Sequence, residues 1–462
     1  MYNRRQILRA SAATSLAFSG LALLPGCGQA ETPRQTLPRT GLVADPNGLL
    51  DLPPGFTYSV VSTEGEEMSD GLLTPGDFDG MATFVTNDGL TLVRNHELHP
   101  FEFEKSPFGT DGSRLGRIAS SRLYDQRDDS TGLLGGTTTL VLDPATLEIR
   151  RQFLSLGGTY NNCAGGPTPW GSWITCEETT DRQGEHLARD HGYAFEVPAN
   201  ARELVEAIPL TAMGRFRHEA IAVDPSTGIV YLTEDEYDNA LFYRFIPNTP
   251  GELSRGGRLQ ALKVRGEDAF DTRNWETAAF RPGDSLDVEW IDIEDSSNPE
   301  DDIALRHIAM GAAWFTRGEG IWFGEGELYF TCTDGGPARM GQIFRYVPSP
   351  EEGQAGEAGR PGRLELFVES PGDETMGMCD NITIAPWGDL IVAEDGPDEQ
   401  YIRGVTPAGH IYTIARNAFN ESGDFSEFCG PCFSPDGTIL FINVQSEPSR
   451  TLAIRGPWRD LA

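Results

Sequence analysis

One phrase recurs along this chain and restricts its fold more than any other feature: a short strand, a turn of Pro, Asp and Gly, then an aliphatic strand. It appears as Ile384, Ala385, Pro386, Trp387 and Gly388 before residues 390–393, and as Phe433, Ser434, Pro435, Asp436 and Gly437 before residues 439–442. It appears again as Phe323, Gly324, Glu325 and Gly326 before residues 328–331, and as residues 221–223 with Asp224, Pro225 and Gly228 before residues 229–232. Proline presets one turn angle and glycine supplies the positive φ, so each phrase reads as a hairpin. Units that repeat in this way belong to architectures made by repetition, and their irregular spacing points to insertions between units. The 53 glycines and 31 prolines of the 462-residue chain supply the turns. The expected fold is all-β, a β-propeller with inter-blade insertions; a β-sandwich is the competing all-β arrangement.

The aliphatic strands share a second property. Residues 173–176 end in Glu177 and Glu178, residues 229–232 in Thr233, Glu234 and Asp235, residues 328–331 in Cys332 and Asp334, and residues 390–393 in Glu394 and Asp395. In a propeller, equivalent strand ends surround one mouth of the central channel. Carboxylates converging there repel unless cations sit among them. The plain alternative is that acidic residues simply cap strands in an acidic protein. Two His-Glu pairs, His96-Glu97 and His218-Glu219, also border strands. Arg317 and Glu319 stand two residues apart, on one face of an extended strand. The arginine could grip an oxyanion while the glutamate holds a metal, or the two could form a surface ion pair.

Residues 161–178 concentrate these signals. They carry Cys163, Cys176, Trp170, Trp173, Glu177 and Glu178 among glycines and prolines. A soft thiolate beside hard carboxylates suits a transition metal next to a harder cation. A turn, a core strand and two surface glutamates is the structural alternative.

Acidic residues outnumber basic ones 70 to 36, a formal charge of −34. That repels phosphate backbones and argues against a nucleic-acid partner. The N-terminus has the twin-arginine pattern Asn3, Arg4, Arg5, Gln6, Ile7, Leu8, Arg9, then a mildly apolar run over 12–24. The run is too short for a bilayer-spanning helix and reads as a signal for the twin-arginine (Tat) export machinery. Leu24, Pro25, Gly26 and Cys27 resemble a lipobox with Cys27 as lipid acceptor; cleavage near residues 28–30 is the alternative. The expectation is a signal peptide over 1–30, a linker over 31–49, and one propeller catalytic domain over 50–462. The protein is expected in the periplasm or outside the cell, meeting a membrane only through a lipid on Cys27.

Six cysteines remain besides Cys27. Cys429-Gly-Pro-Cys432 copies a redox motif, but a turn and a strand follow it where a helix is required. A local disulfide or two buried thiols is expected. Residues 112–124 are expected as a helix, and residues 50–61, with Pro53 and Pro54 inside, as a strand.

Several of these segments, taken in order, resemble the PhoX alkaline phosphatase family. They are Asn95-His96-Glu97; Asn162-Cys163-Ala-Gly-Gly with Thr168-Pro-Trp-Gly and Thr175-Cys-Glu-Glu178; Gly214-Arg-Phe with His218-Glu-Ala and Thr233-Glu-Asp235; Arg317-Gly-Glu319-Gly-Ile-Trp322; Asp380-Asn381 with Glu394-Asp395-Gly396; and Gly430-Pro with Phe433-Ser-Pro435. They cover most of residues 50–447. The resemblance implies a six-bladed propeller that holds Fe3+ and Ca2+ at one end of its channel and hydrolyses small-molecule phosphate monoesters. It implies an iron-ligating cysteine, Cys163 by motif position. It implies metal carboxylates at Glu178, Glu219, Glu319 and Glu394, joined by Glu97, Glu234 and Asp395. Arg317 would bind the substrate phosphate, with Asn95 assisting and Glu319 beside it. The chain is shorter than well-known members, so some insertions that shape substrate access are missing.

The chemistry agrees with the residues. A dianionic ester needs cations and an arginine, and metal ions can polarise phosphoryl oxygens and activate the nucleophile. No Ser/His/Asp arrangement competes for that role. Two other readings remain: a calcium-dependent propeller lactonase or phosphotriesterase, and a non-catalytic envelope binding propeller with structural calcium.

Overall fold

In the computed structural model, which describes residues 41–126, 133–184, 186–421 and 424–461, each recurring phrase is the first hairpin of an antiparallel sheet. Cys379–Ile384 pairs with Leu390–Glu394, Phe428–Phe433 with Ile439–Val444, Gly318–Phe323 with Leu328–Cys332, and His218–Val223 with Val230–Glu234. Two more hairpins complete the set. Phe78–Thr86 pairs with Gly89–His96, and Asn162–Pro167 with Ser172–Glu177.

The first strand of each hairpin packs against the first strand of the next. The contacts run from Phe78–Thr86 through Asn162–Pro167, His218–Val223, Gly318–Phe323, Cys379–Ile384 and Phe428–Phe433, and back to Phe78–Thr86. That closed ring of inner strands makes the fold a six-bladed β-propeller. The second blade has three strands, and the third and fourth blades are joined edge to edge by Ser285–Asp292. The sixth blade takes its outer strand, Thr57–Thr63, from the start of the described chain, paired with Arg450–Arg455. This closure ties the two ends of the ring together and leaves fewer free sheet edges.

Apolar side chains fill the spaces between blades. Phe242 stacks on Phe330 at 4.2 Å, and Phe330 on Phe344 at 5.2 Å. Each buried aromatic of this kind contributes about 1.5–3 kcal/mol through burial, with a further increment from stacking.

Two local expectations are corrected and a third is decided. Residues 112–124 form single 3-10 turns, Leu115–Arg117 and Ser120–Arg122, and no α-helix. Glycines and serines there give little helix propensity, and the segment lies against blade one through Leu123. Residues 50–61 are two strands, because Pro53 and Pro54 interrupt the ladder: Leu50–Asp51 joins blade five and Thr57–Thr63 joins blade six. Cys429 and Cys432 are free buried thiols, the second of the two readings.

Candidate metal centre at the channel mouth

Every inner strand begins the same way. Its second residue is Asp79, Cys163, Glu219, Glu319, Asp380 or Cys429 in blades one to six. The pairing register slips at this point in all six blades: the second residue lies within the irregularity in blades one to five and immediately before it in blade six. A bulge of this kind re-aims a side chain, here toward the channel. Small residues then let adjacent inner strands approach backbone to backbone. A Cβ on Gly80 would lie 2.6 Å from the Ala164 Cα, and one on Gly320 would lie 2.6 Å from the Ile382 nitrogen. The close approach gathers six polar side chains that the sequence spreads over some three-quarters of the chain.

A second tier comes from the partner strands. The first residue of each inner strand pairs with the last residue of the second strand: Phe78 with His96, Asn162 with Glu177, His218 with Glu234, and Cys379 with Glu394. Side chains alternate along a strand, so the next residue faces the other way. Glu97, Glu178, Asp235 and Asp395 line the cavity, with Gln445 in the sixth blade. Their neighbours turn into the blades. Glu177 binds His191 at 2.6 Å. Glu234 accepts from the Leu241 nitrogen at 2.9 Å and from the Tyr243 hydroxyl at 2.8 Å. Glu394 accepts from Arg403 Nε at 2.7 Å and from the Gly377 nitrogen at 2.9 Å. Glu234 and Glu394, expected among the ligands, are therefore set apart from the cluster by strand parity. Asp235, their counterpart from the same phrase, lies inside it. Asn95 is also set apart from any substrate position. It is fully buried, its Nδ2 donates to the Cys163 and Ala164 carbonyls at 2.9 and 2.7 Å, and its Oδ1 accepts from Trp173 Nε1 at 2.8 Å. It anchors the backbone that carries Cys163.

The cavity has a volume of about 690 Å³. Arg317 stands at its wall one residue before the fourth inner strand, at φ 36°. That left-handed conformation is unusual for a residue with a Cβ. It is held by an ion pair between Nη2 and Glu319 Oε1 at 2.9 Å and a hydrogen bond from Nε to Asp235 Oδ1 at 3.1 Å. Nη1 makes no hydrogen bond among the described residues. Lys105 also reaches the cavity and pairs with Asp77 at 2.8 Å.

The ligand-type atoms fall into five groups of three, each within 4.8 Å: Asp79, Glu97 and Cys163; Cys163, Glu178 and Glu219; Glu219, Glu319 and Asp380; Asp380, Asp395 and Glu427; Glu427, Asp79 and Cys429. Consecutive groups share one residue, so the five close into a ring. Of the residues expected as ligands, Cys163, Glu178, Glu219, Glu319, Glu97 and Asp395 all belong to it. Asp79, Asp380, Glu427 and Cys429 join them, and sequence reasoning had not assigned them. The signal that finds them is the common start of the inner strands: Phe-Asp-Gly, Asn-Cys-Ala, His-Glu-Ala, Gly-Glu-Gly, Cys-Asp-Asn and Phe-Cys-Gly.

So many buried carboxylates cannot all ionise on their own. Burial first, then Glu97 and Asp380, pushes the Asp79 carboxyl well up. Burial and Asp395 raise Asp380 to about 8, and burial raises Glu97 to about 7. Burial and Glu319 raise Glu219 strongly. Cys163 is raised for the same reasons, burial and then Asp79. Glu219 is the plainest case. It is fully buried and neither carboxylate oxygen has a hydrogen-bond partner. An unpartnered buried carboxylate costs several kcal/mol unless it is neutral or bound to a cation. The donor set, with oxygens and one or two thiols, fits metal ions.

Fold and site together define a β-propeller protein whose channel mouth gathers carboxylates, two thiols and an arginine. The chain belongs to the PhoX family of alkaline phosphatases: the family model for alkaline phosphatase PhoX matches residues 38–448. It is thus an enzyme of the phosphatase class, and small phosphate esters are its substrates. Among solved structures it is similar to Pseudomonas fluorescens PhoX in complex with vanadate, a transition state analogue, at 17% identity and a TM-score of 0.65, covering 88% of this chain and 96% of that one. It is also similar to a gluconolactonase from Xanthomonas campestris, at 13% identity and a TM-score of 0.41, covering 88% of this chain and 98% of that one. None of the curated proteins compared with it matches.

Proposed function

We propose that this protein is a metal-dependent phosphomonoesterase that releases inorganic phosphate outside the cytoplasm, with Fe3+ and Ca2+ in the ring of five groups. The observation that carries the metal reading is Glu219, buried and unpartnered at both oxygens. Cys163, with Glu178, Glu219, Asp79 and Glu97 around it, suits Fe3+; the all-oxygen groups around Glu319, Asp380 and Asp395 suit Ca2+. Bound cations would supply charge to offset the dianionic ester and Lewis acidity to activate the attacking oxygen.

The chain's own residues do the rest. Arg317 is locked by Glu319 and Asp235 through Nε and Nη2, which leaves Nη1 to donate to a phosphoryl oxygen. A guanidinium fixed before substrate arrives stabilises charge without reorganising. Asp235 orients it, as does Tyr237, whose ring lies 5.2 Å from the guanidinium carbon. Asn95 holds the Cys163 backbone in place. The complex of P. fluorescens PhoX with vanadate, a transition state analogue, supports a phosphatase reading here. The twin-arginine pattern supports export through the Tat machinery to the periplasm or beyond, with Cys27 as a lipid acceptor.

The test is metal content by mass spectrometry on Tat-exported protein, with p-nitrophenyl phosphate hydrolysis assayed on the same sample. Iron with calcium and chelator-sensitive hydrolysis is the expected result. Hydrolysis that survives complete metal removal would overturn the reading.

A further inference from the structure

Cys429 occupies the position in blade six that Cys163 occupies in blade two: second residue of the inner strand, at the register slip, which encloses Cys163 and begins just after Cys429. Its side chain is 2% exposed, forms no disulfide, and its thiol makes no hydrogen bond among the described residues. Its sulfur lies within 4.8 Å of carboxylate oxygens of Asp79 and Glu427. A buried thiol that only fills space sits among apolar groups, as Cys432 does in its packing with Leu140, Phe441 and Ala453. Cys429 faces two carboxylates instead. Asp79 in turn lies within the same distance of the Cys163 sulfur, so one carboxylate stands between two thiols.

We propose that Cys429, with Asp79 and Glu427, forms a second thiolate-ligated transition-metal position, beside the one at Cys163. The inference rests on the metal reading above and extends it. A thiolate among the donors suits a transition metal, while groups made only of carboxylate oxygen suit Ca2+. The ring is then divided by chemistry. Transition metals gather on the side of blades one, two and six, where both thiols stand. Hard cations gather on the side of blades three to five, where Arg317 stands. Asp79 stands between the two thiols and would serve both positions. Each thiol gives up its proton on binding, and the positive charge of the cation replaces it.

The experiment uses the full exported chain as purified. Transition-metal equivalents per chain are measured by mass spectrometry, and sulfur ligands per metal by X-ray absorption at the metal edge. Both are repeated on C429S and on C429T, whose hydroxyls fit the site without a soft donor. The proposal expects each variant to lose about one transition-metal equivalent, with a matching loss of sulfur ligation, while calcium is retained. Wild-type metal content and sulfur ligation in a folded C429S or C429T would overturn it, and leave the reading at Cys163 standing. A wild-type protein with no transition metal at all would overturn both. If both variants fail to fold, the wild-type sulfur count decides against C163S: sulfur ligation that persists in C163S belongs to Cys429, and its complete loss there overturns the proposal.

Discussion

Arg317 Nη2 lies 2.9 Å from Glu319 Oε1, the arginine standing just before the fourth inner strand and the glutamate second within it. The contact fixes a guanidinium against a carboxylate of the ring. It sets what each residue should do when removed.

Arg317→Ala should lower kcat/KM for p-nitrophenyl phosphate by about 10²–10³-fold, the usual effect of losing one preorganised charge-stabilising donor. Inhibition by inorganic phosphate and vanadate should weaken in parallel, and metal content should stay near wild type. Arg317→Lys should recover only part, because the fork that meets both Asp235 and Glu319 is lost. Unchanged phosphate inhibition in Arg317→Ala would remove the arginine from the substrate site.

Strand parity makes a paired prediction. Glu178→Gln should lose bound metal and about 10²-fold in activity, a large effect of the size seen when metal-site groups are altered. Glu394→Gln should keep its metals. It leaves the buried Arg403 without its ionic partner and should cost about 3 kcal/mol of stability. Metal analysis and thermal melts on the two variants separate the effects; loss of metal in Glu394→Gln would place that residue in the ring.

Glu219→Gln should have opposite effects with and without metals. Loaded protein should lose at least one cation and melt lower, since any ligand that binds only the folded state adds to its stability. Chelator-treated Glu219→Gln should be no less stable than chelator-treated wild type, because Gln removes a buried, unpartnered acid. A marked loss of stability in the metal-free variant would mean that Glu219 is held by the protein itself.

His191 carries a pH dependence outside the ring. It is fully buried, with Nδ1 2.6 Å from Glu177 and Nε2 3.3 Å from Asp125. Burial alone would lower its pKa, but Glu177 and Asp125 outweigh it and raise it from 6.5 to about 9. A raised folded pKa contributes stability that is complete below pH 6.5 and is lost as pH rises through 9. The contribution is about 3 kcal/mol. The stability gap between wild type and His191→Gln should therefore narrow by about that amount between pH 6 and pH 10, read by urea melts. A gap that stays constant would show that folding leaves the His191 pKa unshifted.

The hairpin phrases, the turn residues, the strand ends rich in acid and the Arg317–Glu319 spacing are local properties, written within a few residues of one another. They point to an all-β propeller with a charged channel mouth, and together with the family resemblance they single out Cys163, Glu178, Glu219, Glu319, Glu97 and Asp395, which the fold brings together at that mouth. Which member of each acidic pair faces the channel was settled by the fold. Glu234 and Asp235 are equally acidic neighbours, and only their pairing register says that Asp235 enters the cavity while Glu234 turns to Tyr243. Closure settled the remainder. Blade six meets blade one only when the ring is complete, as where Gln445 donates to Glu97 at 3.1 Å across most of the chain. Asp79, Glu427 and Cys429 have no shared meaning until then, because a metal site depends on distance in space, and a chain records distance only along itself.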